Sequence, residues 1–256
     1  MLYQQSPDVF CIAEHWCVKD CVQELVIGNQ YKLASNFSRQ NYIHGGTAIF
    51  VKNGIDVKNL YFLNDFCLEL DFECCGIEMR VGQSKTCIIC VYRSNNNKCN
   101  IENFINRLYI VISKCMKYYQ KMVVCGDFNL NFYKKADKKS IMDLLQCYQL
   151  ININEEYTRI FTNINNVTSK SKLDYIITDF PAECCTFSVY DFSFGDHYAI
   201  KLNIILSEKL INGKNESGNK IAYRRITEDS ISQLNNYLPV AARADLGRWC
   251  QNFKYQ

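Results

Sequence analysis

Up to Arg93 the apolar residues come in short, dense bursts. PDVFCIAEHW reads as a buried strand ending in polar residues, YKLAS around Tyr31 as another, and GGTAIFVKNG as a strand entered through Gly45 and Gly46 and left through an Asn53-Gly54 turn. IDVKNLYFL and CLELDFECCGIEMRV continue the strand-rich character, with a turn expected near Gly76, and KTCIICVYR adds one more strand. The period then changes. In IENFINRLYIVISKCMKYYQ the apolar residues fall at Phe104, Leu108, Val111, Ile112, Cys115 and Met116, the stripe of an amphipathic helix. KMVVCGDF returns to strand, and KKSIMDLLQCYQL sets Ile141, Leu144, Leu145 and Tyr148 on one side of a second helix. KLDYIITD, CTFSVYD and HYAIKLNIIL are three late strands. Helices separated by several strands do not form a simple βαβ repeat. An α/β (α+β) domain of two mixed sheets packed face to face, with helices outside, fits better.

The patterning fades after Leu206. Residues 1–206 form the expected domain, 207–222 a polar, Gly-containing linker, and 223–256 a tail. In the tail Thr227 caps an expected helix, Ile231, Leu234 and Leu238 give it one apolar side, and Pro239 stops it. A chain of 256 residues with 48% hydrophobic content can build one large core. No apolar run is long enough to span a membrane, and MLYQQSPDVF does not read as a secretory signal. The 15 cysteines are odd in number and lie mostly inside apolar runs, where thiols behave as small hydrophobes; with no secretory signal this points to a reducing compartment. Cys87 and Cys90 have zinc-like spacing, but three residues along a strand puts them on opposite faces, and no partner pair follows. A net charge of +3 is compatible with nucleic acid without requiring it.

The chemistry sits at strand ends. VVCGDFNLNF drops from an apolar run into Asp127, Asn129 and Asn131; CIAEHW ends in Glu14 and His15; ICVYR ends in Tyr92 and Arg93. Asp174 lies in KLDYIITD, and Asp196 and His197 stand immediately before a strand in SFGDHYAI. Carboxylates, amides, a phenol and an imidazole at several strand ends can converge on one rim. Carboxylate oxygen suits Mg²⁺ or Mn²⁺, and a His held by a carboxylate can contact a phosphate or shuttle a proton. Taken singly, each residue also has a plain reading as a turn former, a capping aromatic or a surface acid.

In order along the chain, PDVFCIAEHW, GGTAIFVK, ICVYR, VVCGDFNLNF, SKSKLDYIITD and SFGDHYAI resemble the motifs of the endonuclease/exonuclease/phosphatase superfamily over roughly residues 5 to 206. The resemblance implies a four-layer αββα sandwich. It implies a catalytic set of Asp127 with Asn129 at the attacking water, Tyr92 and His197 on the scissile phosphate, and Asp174 orienting His197. Glu14 and Asp196 would be the metal carboxylates, with Mg²⁺ as cofactor and Mn²⁺ as substitute. Within the superfamily the wording resembles the endonuclease of non-LTR retrotransposons: YTRIF supplies its Thr158-Arg159 pair, SKSKLDYIITD its Ser171, and YRRITEDSISQLNNYL the segment leading to a reverse transcriptase. That branch implies Mg²⁺-dependent nicking of double-stranded DNA to prime reverse transcription, in the nucleus and not at a membrane. Arg93, Arg159, Thr158, Ser171, Lys170, Lys172 and Asn131 are then the expected DNA contacts, with Arg39 and Asn41 as further ones.

The family begins with a strand carrying a metal-site Asn, and MLYQQSPDVF matches only the end of the helix that follows it. The expectation is a sheet with unpaired backbone beside the PDVFCIA strand and weakened or absent activity. Two alternatives therefore accompany the nuclease reading. One is an impaired remnant that only binds nucleic acid or a protein partner; the other is a different phosphodiesterase or phosphatase of the same fold.

Overall fold

The computed structural model describes residues 6–17, 19–25, 28–95, 100–191, 195–206 and 220–225. In chain order the strands are β1 (Val9–Ala13), β2 (Tyr31–Phe37), β3 (Thr47–Lys52), β4 (Lys58–Asn59), β5 (Glu73–Val81), β6 (Ser84–Tyr92), β7 (Lys121–Asp127), β8 (Ile151–Asn152), β9 (Arg159–Thr162), β10 (Thr168–Ser171), β11 (Asp174–Thr178), β12 (Cys185–Tyr190), β13 (Ala199–Ile204) and β14 (Lys220–Arg225). Helix α1 spans Ile101–Met116 and α2 spans Lys135–Tyr148. Asn100 caps α1 through its side chain, which accepts from the Glu102 amide at 2.8 Å. Gln149, in the left-handed region, ends α2.

Two six-stranded mixed sheets result, ordered β12-β13-β14-β1-β3-β2 and β4-β5-β6-β7-β11-β8, with β9 and β10 as a separate hairpin. The sheets pack face to face. Val9, Cys11 and Ala13 of β1, Ile49 and Val51 of β3, and Ile200 and Leu202 of β13 share one core with Ile88 and Cys90 of β6, Val123 and Cys125 of β7, and Ile176 of β11. Runs such as VFCIA and CIICV have no polar residue because both faces of these strands are covered. The outer face of the second sheet carries α1 and α2 through Phe104, Leu108, Ile141 and Leu144. The outer face of the first, with Phe10, Ile12 and Phe50, packs on Val22 of the 3-10 turn Lys19–Glu24. Cys87 falls in the helix-side core and Cys90 in the inter-sheet core, as opposite faces of β6 demand.

Aromatic stacking ties the helix layer to the rim of the second sheet. Phe104 of α1 contacts Phe72 and Phe128 at centroid distances of 5.6 and 5.4 Å, and Phe128 stacks on Tyr175 at 4.8 Å. Truncating such a residue removes about 3–5 kcal/mol. Because Phe128 follows Asp127 directly, this column also fixes the backbone on which the polar residues sit.

Three expectations are corrected. Gly76 makes no turn: it lies inside β5, where a Cβ would come 2.4 Å from Leu63 Cδ1, and the β5–β6 hairpin turns at Gly82 instead. IDVKNLYFL gives only the short β4 and then a 3-10 turn at Tyr61–Phe66, with Leu60 and Leu63, three residues apart, both in the core. Backbone beside β1 is not left unpaired. β14 runs parallel to β1, from Val9↔Ile221 to Ala13↔Arg225, and antiparallel to β13, from Asn203↔Lys220 to Ile200↔Tyr223. This strand crosses the expected linker–tail boundary at residue 222. The helix expected after Thr227 lies outside the described residues.

Candidate active site

Glycine opens the site. At the end of β7, Gly126 has φ 143°, and a Cβ there would lie 1.8 Å from the Val91 carbonyl oxygen. Without a side chain, β6 and β7 close up at their C-terminal ends, pairing Tyr92 with Asp127 and, across β11, Asp127 with Asp174. The first sheet reaches the same rim. The Cys90 thiol donates to the Ile12 carbonyl oxygen across the interface at 3.4 Å, so Glu14 and Tyr92, each two residues further on, leave the sandwich at one end.

Asp127 is buried, and Asn129 holds it. The Asn129 backbone N–H donates to Asp127 Oδ1 at 2.9 Å, and its side-chain Nδ2 donates to Asp127 Oδ2 at 3.2 Å and to the Arg93 carbonyl at 2.7 Å. A φ of 49° at Asn129 permits this, and Asn tolerates that region better than most residues. His197 donates or accepts through Nδ1 at 2.9 Å from Asp174 Oδ2; with a buried carboxylate opposite, Nδ1 carries the proton. One ligand atom from each of Asp127, Asp174 and His197 lies within 4.8 Å of the others. Asp174 Oδ1 is buried without a hydrogen bond.

What brings His197 to Asp174 is the segment before the β9–β10 hairpin. Thr158 Oγ1 accepts from the amides of Leu173 and Asp174, both at 3.0 Å. The Tyr198 amide donates to the Thr158 carbonyl at 2.7 Å, the Ile160 amide donates to the Asp196 carbonyl at 3.0 Å, and Arg159 bridges to His197. Arg159 Nε pairs with Asp196 Oδ2 at 2.5 Å. Asp196 therefore answers to Arg159, and neither it nor Glu14 joins the three-residue group. Glu14, with φ 59°, is buried at the end of β1, where its amide donates to the Gly46 carbonyl. Tyr92 is buried, with the Arg39 guanidinium 5.8 Å from its ring centroid.

Most expected DNA contacts have other work. Arg93 is buried and donates to the carbonyls of Phe128 and Asn129, at 2.8 Å each. Lys172 is fully buried, donates to the Asn154 carbonyl and lies 4.1 Å from the Phe132 ring centroid; burial pushes its ammonium pKa down to about 8. Thr158 is buried and Asn131 caps a turn, accepting from the Tyr133 amide. Ser171 pairs with Arg159 in the hairpin. Lys170 remains on the exposed face of β10, 5.6 Å from the Tyr157 ring. Arg39 is sunk in an ion pair with Glu73 at 2.5 Å and also donates to Ser94 Oγ, while the Asn41 amide is held by Glu69. Side-chain length and charge cannot reveal in a sequence which cation turns inward.

Sequence reading missed His15 as a buried group and Gly126 and Gly46 as spacers. A Cβ on Gly46 would fall 2.4 Å from His15 Nε2. The signal for Gly126 was its place between an apolar run and Asp127.

Compared by sequence, the chain matches no family model and no curated protein. Its structure is similar to the endonuclease domain of TRAS1, a telomere-specific non-LTR retrotransposon, at 15% identity and a TM-score of 0.54, over 78% of this chain and 99% of that one. It is also similar to an endonuclease/exonuclease/phosphatase family protein from Leptotrichia buccalis (13% identity, TM-score 0.52, 80% and 90% covered). The 3′-5′ exonuclease from Neisseria meningitidis aligns at 15% identity with a TM-score of 0.57, covering 79% and 91%. The chain therefore has the fold of these endonuclease/exonuclease/phosphatase proteins.

Proposed function

We propose that this protein hydrolyses phosphodiester bonds with a divalent cation, and that its substrate is double-stranded DNA, nicked on one strand as the endonuclease of a non-LTR retroelement. The observation that carries the reading is the buried Asp127–Asp174–His197 group, with its ligand atoms within 4.8 Å and one carboxylate oxygen unsatisfied. Two buried carboxylates this close repel unless a proton or a cation intervenes.

The donor set fits a hard divalent ion, Mg²⁺ with Mn²⁺ as substitute. Glu14 and the orphan Asp174 Oδ1 would hold it. Such an ion would supply polarisation of a phosphoryl oxygen and stabilisation of the leaving oxygen. The protein's own groups do the rest. Asp127, fixed on both oxygens by Asn129, takes a proton from the attacking water. In its doubly protonated form His197, whose Nδ1–H donates to Asp174 Oδ2, would offer its Nε2–H to a phosphoryl oxygen. Tyr92, beside Asp127 in the β6–β7 register, adds a phenol donor. The water's oxygen joins phosphorus, the bond to the 3′ oxygen breaks, and the freed 3′ hydroxyl is the primer that a reverse transcriptase partner in the same element would extend, in the nucleus. Support for the retroelement assignment is the alignment with nearly the whole TRAS1 domain.

The test is relaxation of supercoiled plasmid. Nicking with Mg²⁺ or Mn²⁺, abolished by chelation and by Asp127→Asn, is the expected result. Cleavage of a phosphoinositide headgroup without nicking would move the substrate to another class, and duplex binding without cleavage would leave a binding module.

A further inference from the structure

Apolar packing between sheets is non-directional: it sets their separation, not how one slides on the other. The site spans that seam. Tyr92, Asp127 and Asp174 come from the second sheet, while Glu14 and His197 flank strands of the first. On the His197 side the bond to Asp174 locks the sheets together. On the Glu14 side Glu73 does. It opens β5, stands opposite Tyr92 of β6, and shares the inter-sheet face with Cys75 and Ile77. A fully buried carboxylate there is costly unless its oxygens are matched. Both are. Oε1 accepts from Arg39 Nε at 2.5 Å and from the Leu70 amide at 3.0 Å, and Oε2 accepts from the Gly46 amide at 2.6 Å. Arg39 and Gly46 lie in the loop between β2 and β3 of the first sheet, so Glu73 bridges the two sheets.

That loop carries the bridge on to Glu14. The Gly46 carbonyl accepts from the Glu14 amide at 2.6 Å, and the Gly45 carbonyl from the Trp16 amide at 2.9 Å. Arg39 also donates to the Ile43 carbonyl at 3.0 Å and to Ser94 Oγ at 2.7 Å, with its guanidinium 5.8 Å from the centre of the Tyr92 ring. A Cβ on Gly45 would fall 2.3 Å from Arg39 Cζ, so the glycine lets the guanidinium pass beneath the loop. The surrounding backbone is strained. Glu14, Trp16, His44 and Leu70 have φ of 59°, 61°, 65° and 73°, a region that side-chain-bearing residues hold only where the surroundings over-determine it. Glu73 holds Leu70 directly, Gly46 and Gly45 hold Glu14 and Trp16, and His44 stacks on Trp16 with centroids 4.5 Å apart. A buried ion pair is weak evidence for stability, since apolar residues of similar volume serve a core as well. Directional bonds and strained backbone converging on Glu14 argue for placement instead. We propose that the Arg39–Glu73 pair is a positioning device that holds Glu14 and Tyr92 in place at the rim for metal binding and hydrolysis. The inference rests on the phosphodiesterase reading above, and the pair acts through the Glu14 backbone and the Tyr92 ring rather than by touching substrate.

Four proteins test it: the full chain and its Glu73→Gln, Arg39→Lys and Glu78→Gln variants. Glu78 lies on the same strand but pairs with Lys85 near the surface, so it controls for loss of a carboxylate from β5. Mn²⁺ binding is read by calorimetry without DNA, on protein shown to be folded. The dissociation constant should rise about 10- to 100-fold in Glu73→Gln, rise about fivefold in Arg39→Lys, which keeps the charge but not the fork, and stay within about twofold in Glu78→Gln. Amide hydrogen exchange should speed up about tenfold more at Glu14 and Trp16 than at Val123 and Val124 of β7 in Glu73→Gln. A role in stability alone would lower the thermal midpoint, leave the Mn²⁺ affinity of the folded protein unchanged and raise exchange uniformly. Either of those last two results, or an equal loss of affinity in Glu78→Gln, would overturn the assignment. If Glu73→Gln does not fold, Arg39→Lys decides on the same readouts, and unchanged Mn²⁺ affinity there overturns it. A full chain that neither binds Mn²⁺ nor nicks, with Glu14 and Trp16 still loosened in Glu73→Gln, would refute the hydrolase reading and leave the inter-sheet clamp standing.

Discussion

His15 should make the fold acid-sensitive in a defined window. Its ring is buried, with Nε2 3.0 Å from the Phe37 carbonyl and Nδ1 3.0 Å from the Cys17 amide. A backbone N–H can only donate, so Nδ1 accepts and the single proton of the neutral ring sits on Nε2. A second proton would set Nδ1–H against the Cys17 N–H. Burial is the main cause that pushes the His15 pKa down from 6.5 to about 4; the Phe37 carbonyl opposes it, and the Arg39 charge adds to it. A depressed folded value means stability that is complete above pH 6.5 and lost as pH falls through about 4. At about 1.4 kcal/mol per pH unit, a window from 6.5 to about 4 amounts to about 3 kcal/mol. Urea unfolding at pH 7, 6, 5 and 4 should be measured on the full chain and on His15→Gln, whose amide can still donate to Phe37. Other acids titrate equally in both proteins, so the difference between the two stabilities isolates His15. It should shift by about 3 kcal/mol in favour of the variant between pH 7 and 4. A difference that stays constant across the range would refute the buried neutral ring.

Other outcomes follow from the same geometry. Gly126→Ala drives a methyl group into the Val91 carbonyl, with no flexible side chain to yield, and should cost more than about 4 kcal/mol, seen as a loss of soluble protein or a thermal midpoint at least about 10 °C lower. Thr158→Val leaves the amides of Leu173 and Asp174 without their acceptor; about 2–4 kcal/mol of stability should go in chemical denaturation, and nicking should fall because Asp174 is no longer held. Asp174→Asn keeps the shape of the His197 contact but removes the charge and one ligand oxygen, so plasmid nicking should fall about 100-fold or more with little change in thermal midpoint. Lys172→Met should leave the salt slope of duplex binding unchanged, because that ammonium is buried, whereas Lys170→Ala on the exposed hairpin strand should lower it by about one unit.

Periodicity made most of the fold legible. β1, β3, β6, β7 and β11 are largely apolar runs with both faces covered, β13 alternates to set Ile200, Leu202 and Ile204 in the inter-sheet core, and α1 and α2 carry continuous stripes, so burial alone fixes their type. The β9–β10 hairpin escaped because RIFT and TSKS lie exposed and show no alternation to read. β14 escaped for another reason: KIAYRR mixes apolar and cationic residues beside a polar stretch, and what makes it a strand is the gap between β1 and β13, a tertiary property. At the site, position in the chain identified Asp127, Asn129, Asp174 and His197, each at a strand end, and the fold brings them together. The direction in which Arg93, Lys172 and Arg39 turn was hidden, since each is a long cation near the rim whose partner is a carbonyl or carboxylate distant in sequence.

The central claim is that Asp127, Asp174 and His197 form one hydrolytic unit at the meeting of two sheets. Its most direct test is a double-mutant comparison of metal-dependent plasmid nicking by the full chain, Asp127→Asn, His197→Gln and the double variant. Groups acting together give losses that do not add, so the double variant should nick about as slowly as the worse single one, with metal-free rates equal in all four. Nicking that survives Asp127→Asn undiminished, or losses that multiply as for independent sites, would contradict it.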